Sequence, residues 1–301
     1  MKVSILYFIT ALTILCGFFL ISSYVLPEPK DKETQHKIQE VRLPRLPVKM
    51  YFAGEAVPLQ DAETLERIDR EIISICFGHA TVIQNLRFSV RYFSYMEEIF
   101  KKYGIPDDFK YLAVTESNLR NVTSSAGAKG VWQFMQGTAK DFNLIVNQEV
   151  DERLNFFKST EAACQYLKKL KDKFGSWTLA AAAYNCGEGR ISERMKSQEM
   201  ENYYDLYLPE ETMRYVPRIL AFKEILKKPE SYGFHLQNDD FLPAFPTYKR
   251  VIVDSTVTQW SAFAKNQGLS LKKLIYHNPW ILSNSLINKE KNSFEILLPV
   301  E

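Results

Sequence analysis

From Asp61 to about Lys228, apolar residues recur at steps of three and four, and no long alternating run interrupts them. That period lays apolar side chains along one stripe of an α-helix, whereas a strand needs a period of two. The stripe runs through Leu65, Ile68, Ile72, Ile75 and Cys76, and again through Phe93, Met96 and Phe100. The punctuation agrees. Tyr103-Gly104 ends one helix, and Ile105-Pro106-Asp107-Asp108 starts the next, with Pro at the first helical position and acids in the first turn. Ala162, Ala163, Tyr166, Leu167, Leu170 and Phe174 mark an amphipathic helix that stops at Gly175. Pro209-Glu210-Glu211 opens a last helix, with a kink expected at the internal Pro217. This region is expected to be an all-α globule.

The flanks differ in character. After Gly233 come two prolines between Phe241 and Pro246, then a β-type run at Tyr248–Val253. Val257–Asn266 and Leu271–His277 read as short helices and Phe294–Leu298 as a second strand, a small separate β-α-α-β module. At the other end, Val3 to Leu26 carry no charge. A bilayer takes ~20 such residues, so residues 1–26 are expected to be a signal peptide or membrane anchor. Residues 27–56, rich in Lys, Glu, Gln and Pro as far as about Pro47, read as a linker and pre-domain segment.

Composition narrows the function. Over 301 residues the hydrophobic content is 46% and the formal net charge only +2, so nothing points to nucleic acid. Neither a Gly-rich phosphate loop nor a zinc-type Cys/His spacing is present, and no metal or cofactor is expected. Outside the N-terminal run with its Cys16, the cysteines are Cys76, Cys164 and Cys186. An odd, scattered set reads as small buried residues, not as a disulfide framework.

Three segments carry candidate chemistry. In Asp107–Ser117, Phe109, Leu112 and Glu116 share one helix face, expected to be the buried one. A carboxyl there loses solvent, and its pKa rises, as a general acid requires. In Asn121–Ala139, Gly127 and Gly130 allow tight turns and close approach of a ligand to the backbone. Ser124, Ser125 and Gln133 offer polar groups to a hydroxylated substrate, and Trp132, Phe134 and Met135 an apolar wall. In Ala180–Arg190, four alanines allow close helix packing before Tyr184 and Asn185 present polar tips.

Glu116-Ser117, the Ser-x-x-Gly-Ala-x-Gly-x-x-Gln run at Ser124–Gln133 and Ala-Tyr-Asn at 183–185, in that order, resemble the soluble-lytic-transglycosylase (SLT) domain family. The likeness spans roughly Val57 to Phe234. It implies a lysozyme-like all-α catalytic domain over residues 57–234. It also implies Glu116 as the catalytic acid/base, with Tyr184 hydrogen-bonded to it and Asn185 next in the motif. Ser124, Gln133 and Met135 match glycan-contacting positions. Glu211 matches a second acid near the groove, with Tyr215 nearby. The Glu-to-Gly spacing is one residue shorter than the family's, so Ser125 competes with Ser124, and Cys186 stands where the family often has Ala or Ser. The implied substrate is the glycan strand of peptidoglycan, cleaved between N-acetylmuramic acid and N-acetylglucosamine with 1,6-anhydro ends. The implied setting is the cell envelope beyond the inner membrane, either membrane-anchored or periplasmic. The alternatives are a hydrolytic muramidase on the same fold and a non-catalytic glycan-binding envelope protein.

Residues 245–301 resemble a LysM module, a small glycan-binding unit. The Gly-Asp or Gly-Glu turn usual before its first helix is replaced by Asp254-Ser255-Thr256. Trp260, His277 and Trp280 read there as packing residues.

Overall fold

A computed structural model describes residues 42–300. The expected signal or anchor, most of the linker and Cys16 lie outside these residues. Among the described residues no helix is long and apolar enough to cross a membrane.

The architecture is mainly α with a small β-α-α-β module, as the periodicity implies. A two-residue hairpin, β1 (Tyr51–Phe52) and β2 (Glu55–Ala56), precedes helices α1 (Ala62–Phe77), α2 (His79–Tyr103) and α3 (Phe109–Ser117). After a loop come α4 (Gln136–Asp141), α5 (Phe156–Phe174), α6 (Trp177–Cys186), α7 (Glu188–Gln198) and α8 (Glu210–Lys227). In the module, β3 (Tyr248–Val253) pairs antiparallel with β4 (Phe294–Pro299) around α9 (Trp260–Asn266) and α10 (Leu271–His277).

Helix α3 sits deepest, with Phe109, Leu112, Ala113 and Val114 fully buried against α8 and its neighbours. It starts at Phe109, not at Pro106, because the chain enters it through three-residue-step turns, with Phe109 N–H on the Pro106 carbonyl (3.1 Å) and Lys110 N–H on that of Asp107 (3.2 Å). The Asp108 side chain pins this entry. Its carboxylate accepts from the Ala53 backbone N–H (2.7 Å) and from Lys223 Nζ (2.6 Å). The hairpin reaches the core too. Phe52 is buried against Phe109, and the Glu55 carboxylate caps α6, accepting from the backbone N–H groups of Trp177 (2.6 Å) and Thr178 (2.9 Å). A carboxylate at a helix N-terminus satisfies orphan donors and meets the positive end of the dipole. Burial works to raise the Glu55 pKa, but its hydrogen bonds from Thr178, Trp177 and Ser176 hold it below the usual range.

On α1 the buried face is rotated from the expected stripe. Leu65 is exposed, while Ile68, Glu71, Ile72 and Ile75 point inward. Glu71 has a reason to be there: it accepts from Arg214 Nε (2.5 Å) and Arg218 Nε (3.0 Å) of α8.

The module does not stand apart. Val150, from the helical body, is buried in the module's own core with Val253, Trp260, Leu274 and Ile296. Asp151 N–H donates to the Trp280 carbonyl (2.9 Å), and Leu282 N–H to the Glu149 carbonyl (2.8 Å).

Candidate active site

Two walls form a cleft of about 670 Å³, and all nine candidate residues lie on it: Glu116, Ser124, Ser125, Gln133, Met135, Tyr184, Asn185, Glu211 and Tyr215. One wall is helical (α3, α6, α8) and the other is the loop at 122–135.

Glu116 ends α3, half-buried. Its pKa is raised to about 7, chiefly by burial; the hydrogen bond from Tyr215 and the charge of Arg218 work downward, and the charge of Glu211 upward. The hydroxyl that reaches Glu116 is that of Tyr215, donated to Oε1. This corrects the expectation that Tyr184 makes this bond. Tyr184 donates instead to the Trp132 carbonyl (2.7 Å) and joins the helical wall to the loop. A phenol buried beside a carboxyl needs an acceptor, and the loop carbonyl supplies one.

Arg218 and Thr212 were not among the candidates. Glu211, Tyr215 and Arg218 fall at i, i+4 and i+7 on α8, so the spacing alone places Arg218 on the cleft face. Thr212 Oγ1 donates to Asn185 Oδ1 (2.9 Å) and fixes that amide. Glu211 is exposed in the first turn of α8.

The loop wall is built from backbone geometry. Ser124 Oγ accepts from Ala128 N–H (3.0 Å). Gln133, at φ 48°, turns its amide inward and donates to the carbonyls of Val122 (3.0 Å) and Gly130 (2.7 Å). Both residues shape the loop as well as line the cleft. Gly130 has φ +84°, and a Cβ there would lie 1.9 Å from the Arg153 carbonyl oxygen. Ser117, beside Glu116, is buried and donates to the Val131 carbonyl (2.8 Å). Trp132 is not part of an apolar wall. It is fully buried, with its indole N–H bonded to Thr160 Oγ1 (2.9 Å); Phe134 and the exposed Met135 line the cleft.

Beneath the loop lies a buried ionic cluster. Arg153 pairs with Asp151 (2.8 Å) and donates to the carbonyls of Gly127 (3.0 Å) and Phe134 (3.1 Å), while Lys129 reaches Asp151 at 3.1 Å. Cys76 and Cys164 are buried free thiols as expected; Cys186 is only half-buried and lines the cleft. Among the described residues no cluster of His, Cys, Asp and Glu could hold a metal.

Most of the cleft's lining falls within a stretch that matches a known domain. Residues 94–206 match the Transglycosylase SLT domain family, and residues 249–301 match the soluble lytic transglycosylase C-terminal LysM-like domain. Residues 94–206 are thus similar to an SLT domain. That match ends before α8, so Glu211, Tyr215 and Arg218 lie beyond it. Membrane-bound lytic murein transglycosylase D of Escherichia coli (strain K12) is 33% identical over 192 residues, covering 62% of this chain and 42% of that protein. The chain thus spans less than half the length of that relative. A protein of Alteromonas sp. (strain M-1), named for tributyltin chloride resistance, is 26% identical over 56% of this chain and 84% of its own. The solved lytic transglycosylase Slt of Pseudomonas aeruginosa is 21% identical, with a TM-score of 0.37, covering 48% of this chain and 26% of that one.

Proposed function

We propose that the SLT domain cleaves peptidoglycan strands between N-acetylmuramic acid and N-acetylglucosamine by transglycosylation, with Glu116 as acid and then base. The observation that carries this reading is a single half-buried carboxyl on the cleft, raised to about 7 and held by Tyr215. A protonated Glu116 donates to the glycosidic oxygen as the bond to the anomeric carbon breaks. The N-acetyl carbonyl oxygen of the muramic acid bonds to that carbon as the leaving sugar departs, and this bond breaks when the 6-oxygen takes its place. The carboxylate then takes the proton of the sugar's own 6-hydroxyl, whose oxygen bonds to the anomeric carbon and leaves a 1,6-anhydro end. An intramolecular nucleophile has a large effective concentration, so this route needs no second carboxylate. Two-carboxylate glycosidases place the second group beside the scissile bond; here the other carboxylate on the cleft is the exposed Glu211. Glycan contacts fall to Ser124, Ser125, Gln133, Met135, Asn185 and Glu211, with Tyr184 and Tyr215 setting the geometry around Glu116.

The same reading divides the chain into a catalytic domain at 57–234 and a LysM-like module at 245–301, and adds the hairpin before residue 57 to the catalytic body. It places the protein in the cell envelope, with residues 1–26 as export signal or anchor and 27 onward as tether. The test is mass spectrometry of muropeptides released from purified sacculi. Products lighter by one water than hydrolysed ones, with no reducible end, are expected, and Glu116→Gln is expected to lower their yield by about 10²–10⁴-fold. Reducing-end products would make the enzyme a muramidase. Unchanged activity of the variant would remove Glu116 from the mechanism.

A further inference from the structure

A second cleft, of about 620 Å³, lies where the module meets the catalytic body and shares no lining residue with the first. Its floor is aromatic. The rings of Tyr92, Phe156 and Phe245 pack with centroids 4.7 to 5.5 Å apart. Its rim is polar. Tyr248 Oη and His277 Nδ1 are 3.1 Å apart, and Tyr276 is 67% exposed. Burial raises the pKa of the Tyr92 and Tyr248 hydroxyls, and the nearby Tyr276 hydroxyl adds to both shifts.

The charge in this cleft is one-sided. Arg91 lines it, and no Asp or Glu does. Arg91 Nε donates to the Pro243 carbonyl (2.8 Å) and its guanidinium carbon lies 5.8 Å from the Phe245 ring centroid. Its two terminal nitrogens have no hydrogen-bond acceptor among the described residues. Trp280, 1% exposed, also lines the cleft, and its indole N–H has no acceptor among the described residues. Ring faces, clustered donors, a guanidinium and no carboxylate favour a ligand with flat apolar faces, many acceptor oxygens and negative charge. A neutral chitin-like chain has the faces and oxygens but not the charge. The muramyl-peptide unit of peptidoglycan, a sugar ring with its carboxylate-bearing stem, has all three.

We infer that this junction cleft is a second peptidoglycan-binding site, distinct from the catalytic one, that takes the carboxylate-bearing muramyl-peptide portion of a strand. This rests on the wall-directed reading of the protein but not on its chemistry. The test uses the full chain, titrated calorimetrically with muramyl dipeptide and, separately, with the neutral N-acetylglucosamine tetramer. Tyr276→Ala changes an exposed side chain and leaves the core intact; Arg91→Gln removes the charge. Each is expected to weaken muramyl dipeptide at least fivefold and the neutral tetramer less than twofold, with turnover of short soluble glycans unchanged. Unaltered dipeptide affinity in both variants would overturn the site. An equal loss for dipeptide and tetramer would overturn the assignment of a carboxylate ligand. Failure of the wild-type chain to cleave glycans, with the binding differences intact, would strike the catalytic reading alone.

Discussion

The two walls of the Glu116 cleft are held by different forces. The helical wall is set by packing: α3 is buried along nearly its whole length, and Ala180 to Ala183 of α6 are all fully buried. Glu116 takes its position, and its raised pKa, from that burial. The loop wall anchors Val131, Trp132 and Phe134 in the same core, but the shape it presents to the cleft is set by polar groups. It is held by Gln133, Ser117 and the Asp151–Arg153–Lys129 cluster. That cluster sits beside Val150, which is buried in the core of the C-terminal module. The helical wall is thus anchored in the main core alone, while the loop wall leans on the module as well.

The difference can be broken most sharply at Arg153. Arg153→Met leaves Asp151 buried with Lys129 as its remaining ionic partner and frees the carbonyls of Gly127 and Phe134. Breaking a buried pair from one side costs about 3–5 kcal/mol. The loop wall should loosen while the helical wall stays. Kinetically this appears as a raised KM on short glycans with a smaller change in kcat, and thermally as a large drop in Tm. Equal losses in kcat and KM would mean that the two walls move together. Gly130→Ala probes the same wall by sterics, since the added carbon meets the Arg153 carbonyl and the backbone is left-handed there. It should cost on the order of 2–4 kcal/mol.

The contrast also explains what was legible in the sequence. The helical wall was readable from its apolar residues and helix punctuation: Phe109, Leu112 and Glu116 share a face, and the alanine run before Tyr184 marks close packing. The β-α-α-β module was readable to within a few residues for the same reason. The partner of each polar group was not readable. Tyr184 and Tyr215 both reach the neighbourhood of Glu116, and which phenol finds the carboxyl depends on a competing acceptor, the Trp132 carbonyl, contributed by a different segment. Glu71 occupies a buried face of α1 because two arginines on α8 meet it there, which no local pattern on α1 encodes. The support of the loop by Arg153 and Val150 depends on long-range pairing and left no periodic trace.

On the helical wall, the sharper test is Tyr215→Phe. The hydroxyl donates to Glu116 and holds its pKa down against burial, so removing it should raise the pKa further. Activity that needs a protonated Glu116 falls as pH rises through about 7 in the wild type. In Tyr215→Phe that limb should move to higher pH, while kcat falls about tenfold, the equivalent of ~1.4 kcal/mol of transition-state stabilisation. A limb that moves downward would mean that the phenol favours the protonated acid. Stability gives an independent check. The folded-state pKa of Glu116 lies above its ordinary value of 4.5, so the native state holds the extra proton and loses stability as pH rises from about 4.5 to about 7. Glu116→Gln removes that loss, and should therefore melt later than the wild type at pH 8, by on the order of 1–2 kcal/mol, but not at pH 4.

The smallest effect is expected at Glu211, where the helical wall meets solvent. Its charge raises the Glu116 pKa, so Glu211→Gln should shift the alkaline limb of the rate profile to lower pH. Because Glu211 is exposed, the interaction runs through a solvent that screens it. The shift should shrink as salt is raised from 0.01 M to 1 M, where the Debye length falls from about 30 Å to about 3 Å. A shift that survives high salt would place the Glu211–Glu116 interaction in the low-dielectric interior. A large loss in kcat without any shift would instead make Glu211 a direct participant in bond breaking, and the single-carboxylate mechanism would give way to a two-carboxylate one.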